Sequence, residues 1–297
     1  MAPKEKAPKY LVISPVKDEE QHVEWTLRSM IQQEVKPLRW IIVDDGSCDR
    51  IAAIVERYAA GQDFIQLVRS CHRNPRQPGS GVIRAFQRGF ELAKGLNYNF
   101  VVKLDCDLSF DPHYFDRIFK AFAADPKLGI ASGVYMESTE DGEWAEVEMP
   151  SYHAAGASKV IRRQCFEEIG GFVPSRGWDT VDEIRAMARG WRTGHCRDLK
   201  MKHWKREGAG IGSLRTNLMH GEIYYLTGGS RLFLLLKVLH RMMCRPFLIG
   251  GLALLWGYVW AALGKQEPLV TADEARCYRA LLHSRMAVTL RNLLPAG

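Results

Sequence analysis

None of the seven cysteines stands in a Cys-x-x-Cys pair, and an odd number leaves at least one without a disulfide partner. That argues against a disulfide framework and against a structural zinc site, so reduced, mostly buried thiols are expected. The basic opening stretch Met1 to Lys9 lacks an apolar run behind it, so it does not read as a secretory signal and the chain is expected to stay cytoplasmic. Internal repeats and low-complexity tracts are absent. Although the net charge is +7, there is no zinc finger, helix-turn-helix or aromatic-basic RNA-binding signature, and nucleic acid is not an expected partner. A full Gly-x-Gly-x-x-Gly fingerprint is also missing: Gly79-Ser80-Gly81 stands alone and does not directly follow an apolar run.

What is present is ordinary globular material, with 297 residues, 46% of them hydrophobic and 25% charged, enough for one large core or two modest ones. Tyr10-Leu-Val-Ile-Ser14 is a short β-branched run closed by Pro15, and Val23, Leu27, Met30 and Ile31 then recur at helical spacing. The scheme repeats. Trp40 to Val43 ends in Asp44-Asp45-Gly46-Ser47 before a helical pattern, Phe64 to Val68 gives a third strand, and Phe100 to Leu104 stops at Asp105-Cys106-Asp107. Alternating strands and helices predict an α/β fold with a mostly parallel sheet, whose ligands lie beyond the carboxyl ends of the strands.

Those strand ends carry the chemistry. Asp105 and Asp107 are close enough to share a hard cation, Mn²⁺ or Mg²⁺, which takes oxygen ligands and keeps positions open for phosphates. The competing reading makes them caps for a helix starting near Asp111-Pro112. Asp44 and Asp45 suit hydrogen bonds from a base or ribose, or simply turn the chain. Arg185 to Arg206 holds eight Lys or Arg against Asp198 alone, a run suited to an anion.

In order, Ser14-Pro15-Val16-Lys17-Asp18-Glu19-Glu20, Ile42-Val43-Asp44-Asp45-Gly46-Ser47, Leu104-Asp105-Cys106-Asp107, Gly156-Ala157-Ser158 with Arg162-Arg163, and Gly170-Gly171-Phe172 resemble the motifs of the family 2 glycosyltransferases, of the membrane-associated type that assembles bacterial polysaccharides. The resemblance covers roughly residues 10 to 210 and implies the inverting GT-A fold, which is Rossmann-like, with a nucleotide-sugar donor. It implies donor contacts from Pro15, Lys17, Glu19, Asp44, Asp45, Arg73, Asp105, Lys205 and Arg206, and metal contacts from Asp105, Asp107 and His203. The family's general base lies in an acidic pair before a helix ending in Gly-aromatic; here Trp178-Asp179-Thr180-Val181-Asp182-Glu183 precedes Gly190-Trp191. Spacing favours Asp179, whereas matching the pair favours Asp182 and Glu183. The same acids are expected to form a capping box at that helix start.

A basic tail (1–9), a GT-A domain over 10–215 with a donor half to about 110 and an acceptor half beyond, and a helical membrane-associating region over 216–297 are expected. Arg231, Lys237, Arg241 and Arg245 thread an apolar helix, and Pro246 to Gly264 holds nineteen uncharged residues. This reads as a monotopic or peripheral anchor on anionic lipid at the cytoplasmic face, with a single span as the alternative. The implied partners are a nucleotide-sugar donor and a glycan acceptor, lipid-linked as expected for an enzyme anchored in this way. A polyprenyl-phosphate glycosyltransferase, a nucleotidyltransferase and a non-catalytic sugar- or lipid-binding module are the other readings; the acidic, glycine-free loop at 14–20 speaks against the second. The sequence leaves the oligomeric state open.

Overall fold

The computed structural model describes residues 8–70, 79–205 and 212–293, so Arg73 and Arg206 lie outside the described residues. The chain forms two compact units: Met1–Ser175 with Gly190–Arg206, and Arg176–Arg189 with Glu207–Gly297.

The first unit opens with β1 (Tyr10–Val16), α1 (Val23–Ile31), β2 (Arg39–Asp44), α2 (Ile51–Ala59), β3 (Ile65–Arg69), α3 (Ser80–Glu91) and β4 (Phe100–Leu104). It continues with β5 (Leu108–Phe110), α4 (Tyr114–Ala124), β6 (Leu128–Ser138), β7 (Trp144–Glu146), β8 (Ser158–Arg162), α5 (Arg163–Glu168) and, after residue 190, β9 (Arg192–His203). Strand order is β3-β2-β1-β4-β8-β6-β9-β5, with β7 on β6. β1 pairs in parallel with both β2 and β4, and β3 in parallel with β2. Tyr10, Leu11, Val12 and Ile13 are all buried, the unbroken apolar run of a parallel strand covered on both faces. α3 packs so closely that a Cβ on Gly89 would stand 2.7 Å from Val43 Cγ2.

Beyond β4 the sheet departs from the parallel expectation. β8 runs antiparallel to both β4 and β6, β9 returns parallel to β6, and β5 closes antiparallel on β9. The cause is connectivity: β6, β7 and β8 follow one another without an intervening helix, and parallel neighbours need such a crossover. β1 does not stop at Pro15, which stays in register opposite Val43. The chain leaves β1 for β2 on one side and reaches β4 on the other, which makes a topological switch with a crevice at the strand ends.

The second unit is helical: α6 (Trp178–Ala188), α7 (Ser213–Leu226), α8 (Arg231–Met242), α9 (Ile249–Leu263) and α10 (Ala272–Leu293). α7 and α9 touch backbone to backbone, since a Cβ on Gly221 would lie 2.0 Å from the Leu254 carbonyl oxygen and one on Gly257 2.0 Å from that of Leu218. The expected capping box on α6 is not formed. The helix starts one residue before Asp179, its N-cap is left-handed Gly177 (φ 74°), and no side chain caps it. A capping box does open α10, where Thr271 N donates to Glu274 Oε2 at 2.9 Å and Glu274 N to Thr271 Oγ1 at 3.2 Å. Among the described residues no helix is long and apolar enough to cross a membrane. At 1.5 Å per residue, the fifteen residues of α9 reach only about 22 Å.

Candidate active site

The acids at the end of β4 are not helix caps, because β5 separates them from α4 and Asp111 itself accepts from the His113 amide at 2.8 Å. Lys103 and Asp105, two residues apart on one strand face, pair at 2.6 Å in spite of the burial of the lysine. Asp107 Oδ2 lies 3.3 Å from His203 Nε2, and His203 Nδ1 lies 3.2 Å from Glu137 Oε1. Sheet register explains the meeting, since β9 sets His203 opposite both Leu108 and Glu137. Tyr135 stacks on the imidazole at 5.3 Å between ring centres. Desolvation, aided by the Asp107 charge, lifts the Asp105 carboxyl against the pull of Lys103. Asp107 moves the other way: burial opposes ionisation, but the hydrogen bond and charge of His203 outweigh it. Burial alone would lower His203, yet Asp107, Asp105 and Glu137 together push it up to about 9.

Asp107 Oδ1 is buried and has no hydrogen-bond partner among the described residues. An orphaned carboxylate oxygen is costly in an apolar setting and suits a hard cation. Among the described residues no three His, Cys, Asp or Glu side chains form a ready-made cation cage. The donor set therefore fits an open carboxylate site on Asp105 and Asp107. His203, protonated between two carboxylates, has no lone pair to offer until it loses its proton.

The loops after β1 and β2 hold each other. Asp18 Oδ1 accepts from Cys48 N at 2.8 Å, Glu20 Oε2 from Arg50 N at 2.9 Å, and Asp44 Oδ1 from Ser47 N at 2.8 Å. Lys17 Nζ donates to the Asp45 carbonyl at 3.0 Å, and Arg88 pairs with the Asp45 carboxylate at 2.5 Å. Asp44, at the end of β2, is buried while it makes this turn, and its other oxygen lies 3.9 Å from Arg69 Nε. The segment after β9 is fixed by Trp204, which stacks on Trp25 at 4.5 Å and 8°, meets Trp144 edge-on, and donates from Nε1 to Ser109 Oγ at 3.0 Å. That clamp brings Lys205 Nζ to 2.7 Å from Glu19 Oε1. Asp105, Asp107 and His203 are thus gathered in one cluster, Glu19 is joined to Lys205, and Lys17 to Asp45. Pro15 sits on β1 without a polar role, and Arg73 and Arg206 lie outside the described residues.

Asp179, Asp182 and Glu183 occupy α6 of the second unit; Asp182 and Glu183 are fully buried and Asp179 half-buried. Asp182 Oδ1 accepts from the Glu183 amide at 2.7 Å. Lys103 and Glu137 were missed from the sequence. Strand alternation marks Lys103 as facing the same way as Asp105, whereas Glu137 needs the β6–β9 register, which no local pattern carries.

Fold and acidic crevice together define an α/β domain of the GT-A type. Residues 11–178, more than half the chain, match the model described as Glycosyl transferase family 2, and the chain belongs to that family. The poly-beta-1,6-N-acetyl-D-glucosamine synthase of Staphylococcus epidermidis is 28% identical over 207 residues, 64% of this chain and 46% of the relative. The corresponding synthase of Staphylococcus aureus strain COL is 29% identical over 119 residues, 39% of this chain and 26% of the relative. The chain thus spans less than half the length of these curated relatives. Among solved structures it is similar to mannosyltransferase PcManGT from Pyrobaculum calidifontis in complex with GDP-Man and Mn²⁺, with TM-score 0.56 and 18% identity over 96% of this chain and 81% of that one. It is also similar to S. aureus TarS 1–349 in complex with UDP-GlcNAc, with TM-score 0.54 and 14% identity over 91% of this chain and 78% of that one. At these identities the likeness is one of fold. Membership of the family sets aside the nucleotidyltransferase reading.

Proposed function

We propose that the chain transfers a sugar from a nucleoside-diphosphate sugar to a hydroxyl of a glycan acceptor carried on lipid, with inversion, at the cytoplasmic face of a membrane. The single observation that carries the donor half of this reading is buried Asp107, with one oxygen held by His203 and the other unsatisfied. The names of the curated relatives and the TarS complex make UDP-N-acetylglucosamine the first donor to test.

In this reading Asp44 and Asp45 accept hydrogen bonds from the base or ribose, with Pro15, Lys17 and Glu19 lining the same crevice. A divalent cation held by Asp105 and Asp107, with His203 after deprotonation, would supply Lewis-acid charge to the diphosphate oxygens. Lys205, released from Glu19, with Arg206 and Arg73, balances the negative charge that builds on the departing diphosphate. A carboxylate of α6, Asp179 first and Asp182 or Glu183 as the alternatives, accepts the proton of the acceptor hydroxyl as its oxygen attacks the anomeric carbon. The bond to the diphosphate breaks from the opposite face, so the anomeric centre inverts. Support for the acceptor half comes from the exposed apolar and basic side chains of α8 and α9 in the second unit.

The test is calorimetric binding and turnover of a nucleotide-sugar panel with Mn²⁺ and with EDTA, beside Asp107→Ala and Asp179→Ala. Cation-dependent binding lost in Asp107→Ala, and transfer lost with donor binding kept in Asp179→Ala, is the expected result. Failure of every donor to bind would sink the reading.

A further inference from the structure

Of nineteen large apolar side chains exposed among the described residues, thirteen fall between Leu232 and Leu263. They are arranged, not scattered. α9 buries a stripe of Gly250, Gly251, Ala253, Leu254, Gly257 and Ala261 and turns out Ile249, Leu252, Trp256, Trp260 and Leu263 at steps of three or four, with Trp260 63% and Leu263 71% exposed. α8 does the same, burying Leu234 and Val238 while Leu232, Leu235, Leu236 and Leu239 face out. Across the turn between them Met243, Phe247 and Leu248 continue the surface. The two helices pack on each other: a Cβ on Gly251 would lie 2.7 Å from the Val238 carbonyl oxygen. A soluble surface rarely carries a continuous apolar face of this extent without a partner.

Charge identifies the partner. From Arg231 to Gly264 there is no Asp or Glu, while Arg231, Lys237, Arg241 and Arg245 are interspersed. Arg241 Nε is held by Asn217 Oδ1 at 2.8 Å, and Lys237 lies over the Tyr224 ring at 5.6 Å; Arg231 and Arg245 are exposed. A second copy of this face would bring like charges together with no carboxylate to answer them, whereas an anionic leaflet supplies both hydrocarbon and negative headgroups. A bilayer's hydrocarbon core is about 30 Å thick, beyond the reach of α9.

We infer that the outward faces of α8 and α9 form one docking surface for an anionic lipid leaflet, on which the helices rest without crossing. Trp256 and Trp260, ring centres 6.1 Å apart, sit at headgroup level, and Arg231 and Arg245 contact lipid phosphates or carboxylates. The lipid-linked acceptor of the preceding reading depends on this surface, but the surface can be tested without turnover, so either can fail alone.

The experiment is cosedimentation of the full chain with vesicles of phosphatidylcholine alone and with about 30% phosphatidylglycerol. Wild type is expected to bind the anionic vesicles at least tenfold more tightly. Trp256→Ser with Trp260→Ser lowers that binding about tenfold or more, and Arg231→Gln with Arg245→Gln about fivefold per charge removed, at unchanged circular dichroism. All four side chains point outward, so the fold is not at stake. No vesicle binding, equal binding to both compositions, or a tryptophan variant that binds like wild type overturns the inference. So does a concentration-dependent dimer that the tryptophan variant abolishes, because the face would then be covered by a second copy.

Discussion

Replacing Asp107 by Asn should change the acid–base behaviour of a side chain on another strand. Raising an imidazole from its ordinary 6.5 to about 9 corresponds to about 3 kcal/mol in favour of the protonated form, and the largest favourable contribution to His203 is Asp107 at 3.3 Å. The folded state holds this proton more tightly than the unfolded chain does. Its stabilising contribution is therefore complete below about pH 6.5 and is lost as pH rises through about 9. In EDTA-treated protein the His203 ring resonance, picked out from nine histidines by its absence in His203→Gln, should titrate near pH 9. In Asp107→Asn, where burial opposes the charge and Glu137 at 3.2 Å is the one carboxylate left paired with the ring among the described residues, it should fall by more than one pH unit. Urea midpoints followed over pH 6.5 to 9 should decline in wild type and stay flatter in the variant. A wild-type ring that titrates below pH 7, or one indifferent to Asp107→Asn, refutes the pairing.

Three further outcomes follow from the geometry. Lys205→Ala, which removes the side chain held by Glu19 at 2.7 Å, should weaken nucleoside-diphosphate binding about tenfold in titration calorimetry, as expected for one charge-assisted contact. Glu274→Ala removes both the α10 capping box and the 2.8 Å ion pair with Arg189, so chemical denaturation of the helical unit should show a loss of about 2 kcal/mol. Burial opposes ionisation of Glu274, but the Thr271 amide and Arg189 hold its carboxyl low, so this contribution is present above about pH 4.5 and fades on acidification. Gly257→Ala forces a methyl group to within 2.0 Å of the Leu218 carbonyl oxygen; the gain in helix propensity is smaller than the cost of parting α7 from α9, and the melting temperature should fall.

The donor half of the sheet was legible because each strand is a short β-branched run ended by polar residues, and because the acids occur where parallel strands stop. The Asp44-Asp45 and Asp105-x-Asp107 ends needed no tertiary knowledge. What lay beyond local pattern was pairing. Nothing near Glu137 says that β6 will run beside β9, so its partnership with His203 was invisible, as was the antiparallel placement of β8. The α6 start misled for a physical reason: three acids and a threonine suit a capping box, but left-handed Gly177 begins the helix earlier, with a Cβ position already filled by Ile223 Cγ2 at 2.5 Å. The apolar stretch at 246–264 showed its hydrophobicity but not its length as a helix, which is fifteen residues.

The closure of Lys205 on Glu19 bridges 186 residues, and the contact of Trp204 with Ser109 bridges 95. Such separations make the crevice a late event in folding, since closing long loops must precede any gain from the contacts they bring. Until Arg192 to Lys205 is in place, β5 lacks its only pairing strand among the described residues, and Asp107 lacks the imidazolium that pairs with it. Lys103 answers Asp105 from within β4, but Asp107 has no such partner before β9 arrives, which makes β9 the segment that completes both the sheet edge and the acidic cluster.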